Sequence, residues 1–277
     1  MPYVHSDSVN IHFRTGAVRG PTVLLAHGFL MDESMFDPIR TILARNDINV
    51  VAWDARGHGR TGYGADPRFD YWDLAEDGLR VLDAVGVETA VVGGMSQGGY
   101  TALRMALLAP ERVSGLALLD TEADSCTRAD EKYYEEFFDN WCGTAELVPL
   151  AEQLAPQLIG GDRPDIWRWW ITRWLTHDRT ALYPAARCLI DRDSVAGRLG
   201  EITAPALVLR GEHDYNSTAG KCALLAAGLP GAGAVRTVPG AGHGCAVTHP
   251  EDVAAALIEL VTACTPHSPA PVAAAGI

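Results

Sequence analysis

Gly94-Met95-Ser96-Gln97-Gly98 sets a hydroxyl between two glycines, directly after an apolar run ending at Gly93 and directly before a segment of helical period. A strand-to-helix turn of this kind is tight. Side chains two residues either side of the serine would strike neighbouring backbone, so glycine at 94 and 98 is a steric requirement. The turn lifts the Ser96 hydroxyl above the sheet and points a helix N-terminus at it, where negative charge is stabilised. A serine hydroxyl becomes a competent nucleophile only when a base takes its proton. Of the nine histidines, His243 lies in Pro239-Gly240-Ala241-Gly242-His243-Gly244, between an expected last strand (Ala234 to Val238) and an expected last helix. A loop there can carry an imidazole over the strand ends, where ligands bind in open α/β sheets.

The imidazole in turn needs a carboxylate to fix its tautomer and stabilise its protonated form. Asp214, in Arg210-Gly211-Glu212-His213-Asp214 after the run Leu207-Val208-Leu209, keeps the chain order serine, acid, histidine and is the preferred partner. Glu212 competes from two residues away, and Asp120, Glu122 and Asp124 compete from the end of the preceding strand. Negative charge developing on a substrate oxygen calls for preorganised backbone N–H donors. Gln97, which follows the nucleophile, and Phe29, in His27-Gly28-Phe29-Leu30, are assigned that role; whether the Gln97 side-chain amide also donates is left open.

Such residues must be positioned by a particular set of elements. Val23–Ala26, Val50–Trp53, Ala90–Gly93, Leu116–Leu119 and Ala206–Leu209 are short apolar runs without polar alternation, as strands buried on both faces require. Amphipathic segments lie between them: one carrying Phe36, Ile39 and Leu43, one carrying Leu74, Val81, Leu82 and Val85, one from Gln97 to Pro110, and a last one from Pro250. The alternation predicts an α/β fold with a mainly parallel sheet and helices on both faces. Tyr3-Val4 and Val9–Phe13 predict an antiparallel hairpin at its edge. The alternation fails over 122–200, a segment rich in aromatic residues, which reads as a helical cap (lid) set into a core made of 1–121 and 201–264. Residues 265–277 have no amphipathic pattern and read as a disordered tail.

Other eye-catching residues are given structural roles. Asp54-Ala55-Arg56-Gly57-His58-Gly59-Arg60 is expected to be a rigid, hydrogen-bonded loop beside the site entrance, with His27 and His58 structural and Cys245 a small packing residue. The six cysteines have no CxxC spacing, so neither a zinc site nor a disulfide framework is expected. The 277 residues are 48% hydrophobic and 21% charged, with a formal net charge of -13. That charge repels nucleic acid and anionic membrane as partners, and no Lys/Arg cluster offsets it. Without a signal-peptide pattern or a membrane-length apolar run, a cytoplasmic protein is expected.

Ala26-His27-Gly28-Phe29, Asp54–Gly59, Gly94–Gly99, Arg210–Asp214 and Gly240–His243, in this order, resemble the landmarks of the α/β-hydrolase superfamily over roughly residues 3 to 263. The resemblance implies an α/β-hydrolase fold with an eight-stranded sheet, a helical cap inserted after strand 6, and a triad of Ser96, Asp214 and His243. It implies no metal and no organic cofactor. Within the superfamily the chain is most similar to a capped bacterial group of carboxylesterases, enol-lactone hydrolases and cofactor-free haloperoxidase-like perhydrolases, many of which carry methionine where this chain has Gln97. Serine at 96 sets aside haloalkane dehalogenase and epoxide hydrolase chemistry, which requires aspartate there. The expectation is hydrolysis of a small to medium, largely apolar ester or lactone through an acyl-enzyme, in a pocket formed by Phe29, Met95, Trp141 and Trp167. Rival readings are carbon–carbon bond hydrolysis of a vinylogous diketone, perhydrolysis, and a non-catalytic ligand receptor. The expected partner is a small-molecule substrate, and a homodimer is the assembly kept in view.

Overall fold

Apolar runs flanked by turn formers pair into one eight-stranded sheet in a computed structural model that describes residues 2–6 and 9–265. In chain order the elements are β1 (Tyr3–Ser6), β2 (Val9–Thr15), β3 (Thr22–Ala26), α1 (Asp37–Ala44), β4 (Asn49–Trp53), α2 (Tyr71–Ala84), β5 (Ala90–Met95), α3 (Gln97–Leu108) and β6 (Val113–Leu119). The connection from β6 to the next strand holds α4 (Arg128–Cys142), α5 (Leu147–Leu158), α6 (Pro164–Thr176) and α7 (Tyr183–Ile190). The chain then returns to the sheet with β7 (Ala206–Gly211), α8 (Ala219–Gly228), β8 (Arg236–Val238), the short α9 (Cys245–Thr248) and α10 (Pro250–Cys264). The strand order is β1-β2-β4-β3-β5-β6-β7-β8. β1, β2 and β4 pair antiparallel as the expected edge hairpin, and every pair from β4 to β8 is parallel.

The lack of polar alternation in the strands follows from two cores, one on each face. Val23, Leu25, Val50, Ala52, Leu207 and Leu209 point to the side covered by α1 and α10, through Ile39, Leu43, Val253 and Leu257. Their neighbours Leu24, Val51, Val92, Leu116, Leu118 and Val208 point to the side covered by α2, α3 and α8, through Val81, Leu82, Leu103 and Leu225. Successive strand side chains alternate between faces, and here both faces are apolar and dry.

Helix starts carry local signals. Asp70 and Asp73 form a reciprocal capping box on α2, Thr127 and Asp130 form one on α4, and Pro250 opens α10 with Glu251 and Asp252 in its first turn. One expectation needs correction: the last strand spans Arg236–Val238, not Ala234–Val238. It is an edge strand paired only with β7, and upstream of it the chain touches the sheet through a single bridge, Ala206 to Ala232. The expected tail lies outside the described residues from 266 onward. Among the described residues no helix is long and apolar enough to cross a membrane.

β4 and β5 flank β3 on opposite sides, so the chain reverses its direction of travel across the sheet there. The crevice outside the strand ends at such a reversal is where open α/β sheets bind ligands. The loop after β3 and the turn after β5 both open into it.

Candidate active site

Ser96 sits between β5 and α3 with φ 52° and ψ -114°, a left-handed conformation that non-glycine residues seldom adopt. Hydrogen bonds to its backbone hold it. Its N–H donates to the Leu119 carbonyl at 2.9 Å, and its own carbonyl accepts from Gly99 N–H and from the Thr121 hydroxyl, both at 2.8 Å. The two glycines around it are sterically required. A Cβ on Gly98 would lie 2.0 Å from the Ala26 carbonyl oxygen, and one on Gly94 would lie 2.4 Å from the same atom.

His243, on the loop between β8 and α9, is bonded through Nδ1 to Asp214 Oδ2 at 3.0 Å. With Nδ1–H donating to that carboxylate, the lone pair stays on Nε2, the tautomer a general base needs. Asp214 is itself anchored: its Oδ1 accepts from the N–H groups of Asn216 at 2.8 Å and Ser217 at 3.1 Å. Burial alone would raise the Asp214 pKa, but the His243 charge and hydrogen bond, with the two backbone donors, hold it below the ordinary value. For His243 burial pulls downward, and the charge and hydrogen bond of Asp214 outweigh it, so the imidazole titrates above its usual value. Glu212 points elsewhere. Its carboxylate is exposed and accepts from Gly240 N–H at 2.9 Å.

Asp120, at the end of β6 and also in a left-handed conformation (φ 47°), is fully buried beside this pair. It accepts from Gly211 N–H at 2.7 Å and from Cys245 N–H at 3.3 Å. Its carboxyl therefore clamps the strand that leads to Asp214 and the turn that follows His243. Burial and the neighbouring Asp214 charge push its pKa up to about 7. Aspartate placed directly after an apolar strand was the sequence signal for it, there weighed only as a rival third member.

Ser96 and His243 line one cavity of about 180 Å³. No hydrogen bond joins the two side chains in this structure, and catalytic contacts of this type tighten when substrate is in place. Phe29, in the loop after β3, lines the same cavity, and its N–H is engaged by no acceptor among the described residues. The Gln97 N–H belongs to the first turn of α3, where backbone donors have no intrahelical partner. The Gln97 side chain turns inward instead. Its Oε1 accepts from the Tyr71 hydroxyl at 3.4 Å, and its Nε2 is buried without a partner.

The remaining expected pocket residues are placed elsewhere. Met95 is fully buried below the turn, its sulfur packed towards Gly28. Trp141 stacks on Phe137 at 5.5 Å and meets Trp174 edge-on at 5.7 Å, lining a second cavity of about 170 Å³. Trp167 donates from Nε1 to the Gly160 carbonyl at 3.1 Å. Large aromatics here serve the inside of the helical insertion, a packing role that composition does not distinguish from pocket lining. The cavity wall is formed by other residues of that insertion, including Tyr134, Phe137, Phe138 and Leu189, and by a charged group, Glu122, Arg192 and Lys221.

The loop from Asp54 to Arg60 is hydrogen-bonded as expected, but its position differs. Asp54 accepts from the N–H groups of Glu33 and Arg60 and from His12, while His58, Gly59 and Arg60 border the second cavity and not the one holding Ser96. His27 accepts at Nε2 from Ala55 N–H at 2.9 Å, so it is a neutral, structural imidazole whose pKa burial lowers. Among the described residues no group of three or more His, Cys, Asp or Glu side chains is arranged to hold a metal ion.

Comparison with known proteins identifies the fold family. The family model for the alpha/beta hydrolase fold matches residues 21–250. A protein of Azorhizobium caulinodans named as a carbamate hydrolase, RutD, is 36% identical over 121 residues, 43% of this chain and 44% of that protein. Its namesake in Caulobacter vibrioides is 26% identical over 273 residues, covering 92% of this chain and 96% of the other. The structure of a thermophilic esterase from Thermogutta terrifontis superposes with a TM-score of 0.84 at 24% identity, over 93% of this chain and 95% of that one. A seryl turn held by glycines, an eight-stranded sheet that reverses beside it, and a family match over most of its length place this chain in the α/β-hydrolase fold family, among enzymes.

Proposed function

We propose that the chain is a serine hydrolase that cleaves a carboxylic ester or a lactone through an acyl-enzyme on Ser96. The observation that carries this is a serine held at φ 52° that shares one cavity with His243, whose far nitrogen is bonded to buried Asp214. In this mechanism Ser96 Oγ attacks the carbonyl carbon as its proton passes to His243 Nε2. The Phe29 and Gln97 N–H groups receive the oxyanion. The intermediate collapses, the bond to the alkoxide breaks, and that alkoxide takes the proton from His243; in a lactone it stays tethered to the acyl group. A water then loses a proton to His243, attacks the acyl-enzyme, and releases the acid and free Ser96.

A fluorophosphonate should label the wild-type chain at Ser96 and leave Ser96→Ala unlabelled, while p-nitrophenyl acetate turnover falls by at least about 10³-fold in that variant. Folded wild-type protein that neither labels nor turns over the ester would overturn the reading.

A further inference from the structure

The cavity that holds Ser96 has a composition that a purely apolar substrate does not explain. Its lining includes the apolar Phe29, Leu30, Phe137, Phe138, Leu154 and Leu158. It also includes Glu122, whose Oε1 is bracketed by two cations, Arg192 Nη2 at 3.1 Å and Lys221 Nζ at 3.1 Å. Arg192 is buried and heavily engaged: it also donates to the carbonyls of Asp124 and Leu189 and to Cys126 Sγ, so four of its five N–H groups are used, and its guanidinium lies 4.7 Å from the Tyr100 ring centre. That pair alone would be neutral. Lys221, on α8, adds a second positive charge beside Glu122, and its ammonium uses two donors, to Glu122 and to the Asn216 carbonyl at 3.2 Å. An ammonium has three.

Two hydroxyls in the same lining, Tyr100 and Ser217, make no hydrogen bond among the described residues. The remaining charge on the wall, Asp130, is committed to the start of α4. Its Oδ2 accepts from the Thr127 N–H and hydroxyl, and against the upward pull of burial these bonds, with the charges of Lys221 and Arg192, hold it below its ordinary pKa. The formal charges of this lining balance, Arg192 and Lys221 against Glu122 and Asp130, so what it offers a ligand is a set of unengaged donors beside a lysine ammonium, in a chain whose overall charge of -13 repels anions at longer range.

We propose that the preferred substrate carries a carboxylate, held by Lys221 with Tyr100 and Ser217 while its apolar chain packs on the aromatic and aliphatic residues of the same lining. This rests on the ester or lactone reading above and narrows it from an apolar substrate to an anionic, amphipathic one. Lys221 is then the specificity-determining residue, and Glu122 with Arg192 are positioning residues that hold its ammonium at the cavity.

The test uses two near-isosteric pairs, monomethyl against dimethyl adipate, and 4-acetoxybenzoate against its methyl ester, which put the charge on the acyl and on the alcohol side. In at least one pair the wild-type chain should favour the charged member by about tenfold in kcat/KM. Lys221→Gln should abolish that ratio mainly through KM, and Lys221→Arg should restore most of it. A neutral ester preferred in both pairs, or an unchanged ratio in Lys221→Gln, would overturn the proposal. An independent readout separates its failure from that of the hydrolase reading. Adipate dianion should slow fluorophosphonate labelling of Ser96 in the wild-type chain and not in Lys221→Gln. Labelling that adipate leaves unaffected in both would count against the anion site even if esters are cleaved. Protection without turnover of any of the four esters would support the anion site and count against ester hydrolysis.

Discussion

Two buried carboxyls with opposite tendencies stand beside one imidazole. Asp214 is held ionised by His243 and two backbone donors, whereas Asp120 is pushed up to about 7 by burial and by Asp214 itself. His243 must be neutral to accept the Ser96 proton, and its pKa is raised, so kcat/KM should climb with pH through a midpoint above the 6.5 of an ordinary imidazole. The stability linkage runs the other way. A histidine with a raised pKa adds its full stabilisation below 6.5 and loses it as pH rises through its folded value, so this pair favours the fold most where catalysis is weakest. Asp214→Asn should lower kcat about 10⁴-fold by leaving the imidazole in the wrong tautomer. Asp120→Asn should cost about tenfold or less and move the acid limb of the profile to lower pH, since Asp120 is among the groups that raise His243. A pH series of both variants checks this. The opposite ranking would make Asp120 the third member of the triad.

At the scale of elements, the helical insertion reaches into the catalytic loop. Leu30 follows Phe29, the proposed oxyanion donor, in a left-handed conformation (φ 63°), and its carbonyl accepts from Trp174 Nε1 at 2.7 Å, while Arg173, one residue earlier on α6, pairs with Asp32. α6 thus fixes the loop that presents the Phe29 N–H. Trp174→Phe, which keeps the ring and removes the donor, should lower kcat about fivefold with little change in KM, in line with a hydrogen bond of about 1 kcal/mol. A change confined to KM would place Trp174 in substrate binding instead. On the opposite side of the seryl turn the limit is steric. Gly98→Ala forces a Cβ to 2.0 Å from a carbonyl oxygen and should cost about 3 kcal/mol or more, read as a lowered urea midpoint.

For the molecule as a whole, one kind of sequence signal carried the fold and another pointed to the proposed triad. Apolar runs such as Val23–Ala26 were readable because both faces of the sheet are covered, so every residue in the run answers the same demand. Leu24, on the inner side of α2 and α3, has no exposure, and Leu24→Ala should cost about 2–5 kcal/mol in equilibrium unfolding. That Ser96 and His243 share a cavity and that His243 meets Asp214 was legible because each lies just beyond a strand end. Trp141 and Trp167 were misplaced because an aromatic side chain satisfies a helix interface and a pocket wall equally well. Lys221, Arg192 and Glu122 were not singled out as a set, since 70 or more residues separate Glu122 from either cation and no local spacing records the meeting.

The insertion of α4 to α7 between β6 and β7 divides the chain, with Ser96 upstream and Asp214 and His243 downstream, while β6 and β7 are adjacent and paired along four residue positions. Sheet pairing, rather than chain continuity, is what brings the two portions together. A polypeptide interrupted after Gly143, in the link between α4 and α5, keeps each strand whole on its own fragment. Co-expressed as 1–143 and 144–277, the two pieces would form a complementation pair in which neither hydrolyses an ester alone and turnover reports their reassembly.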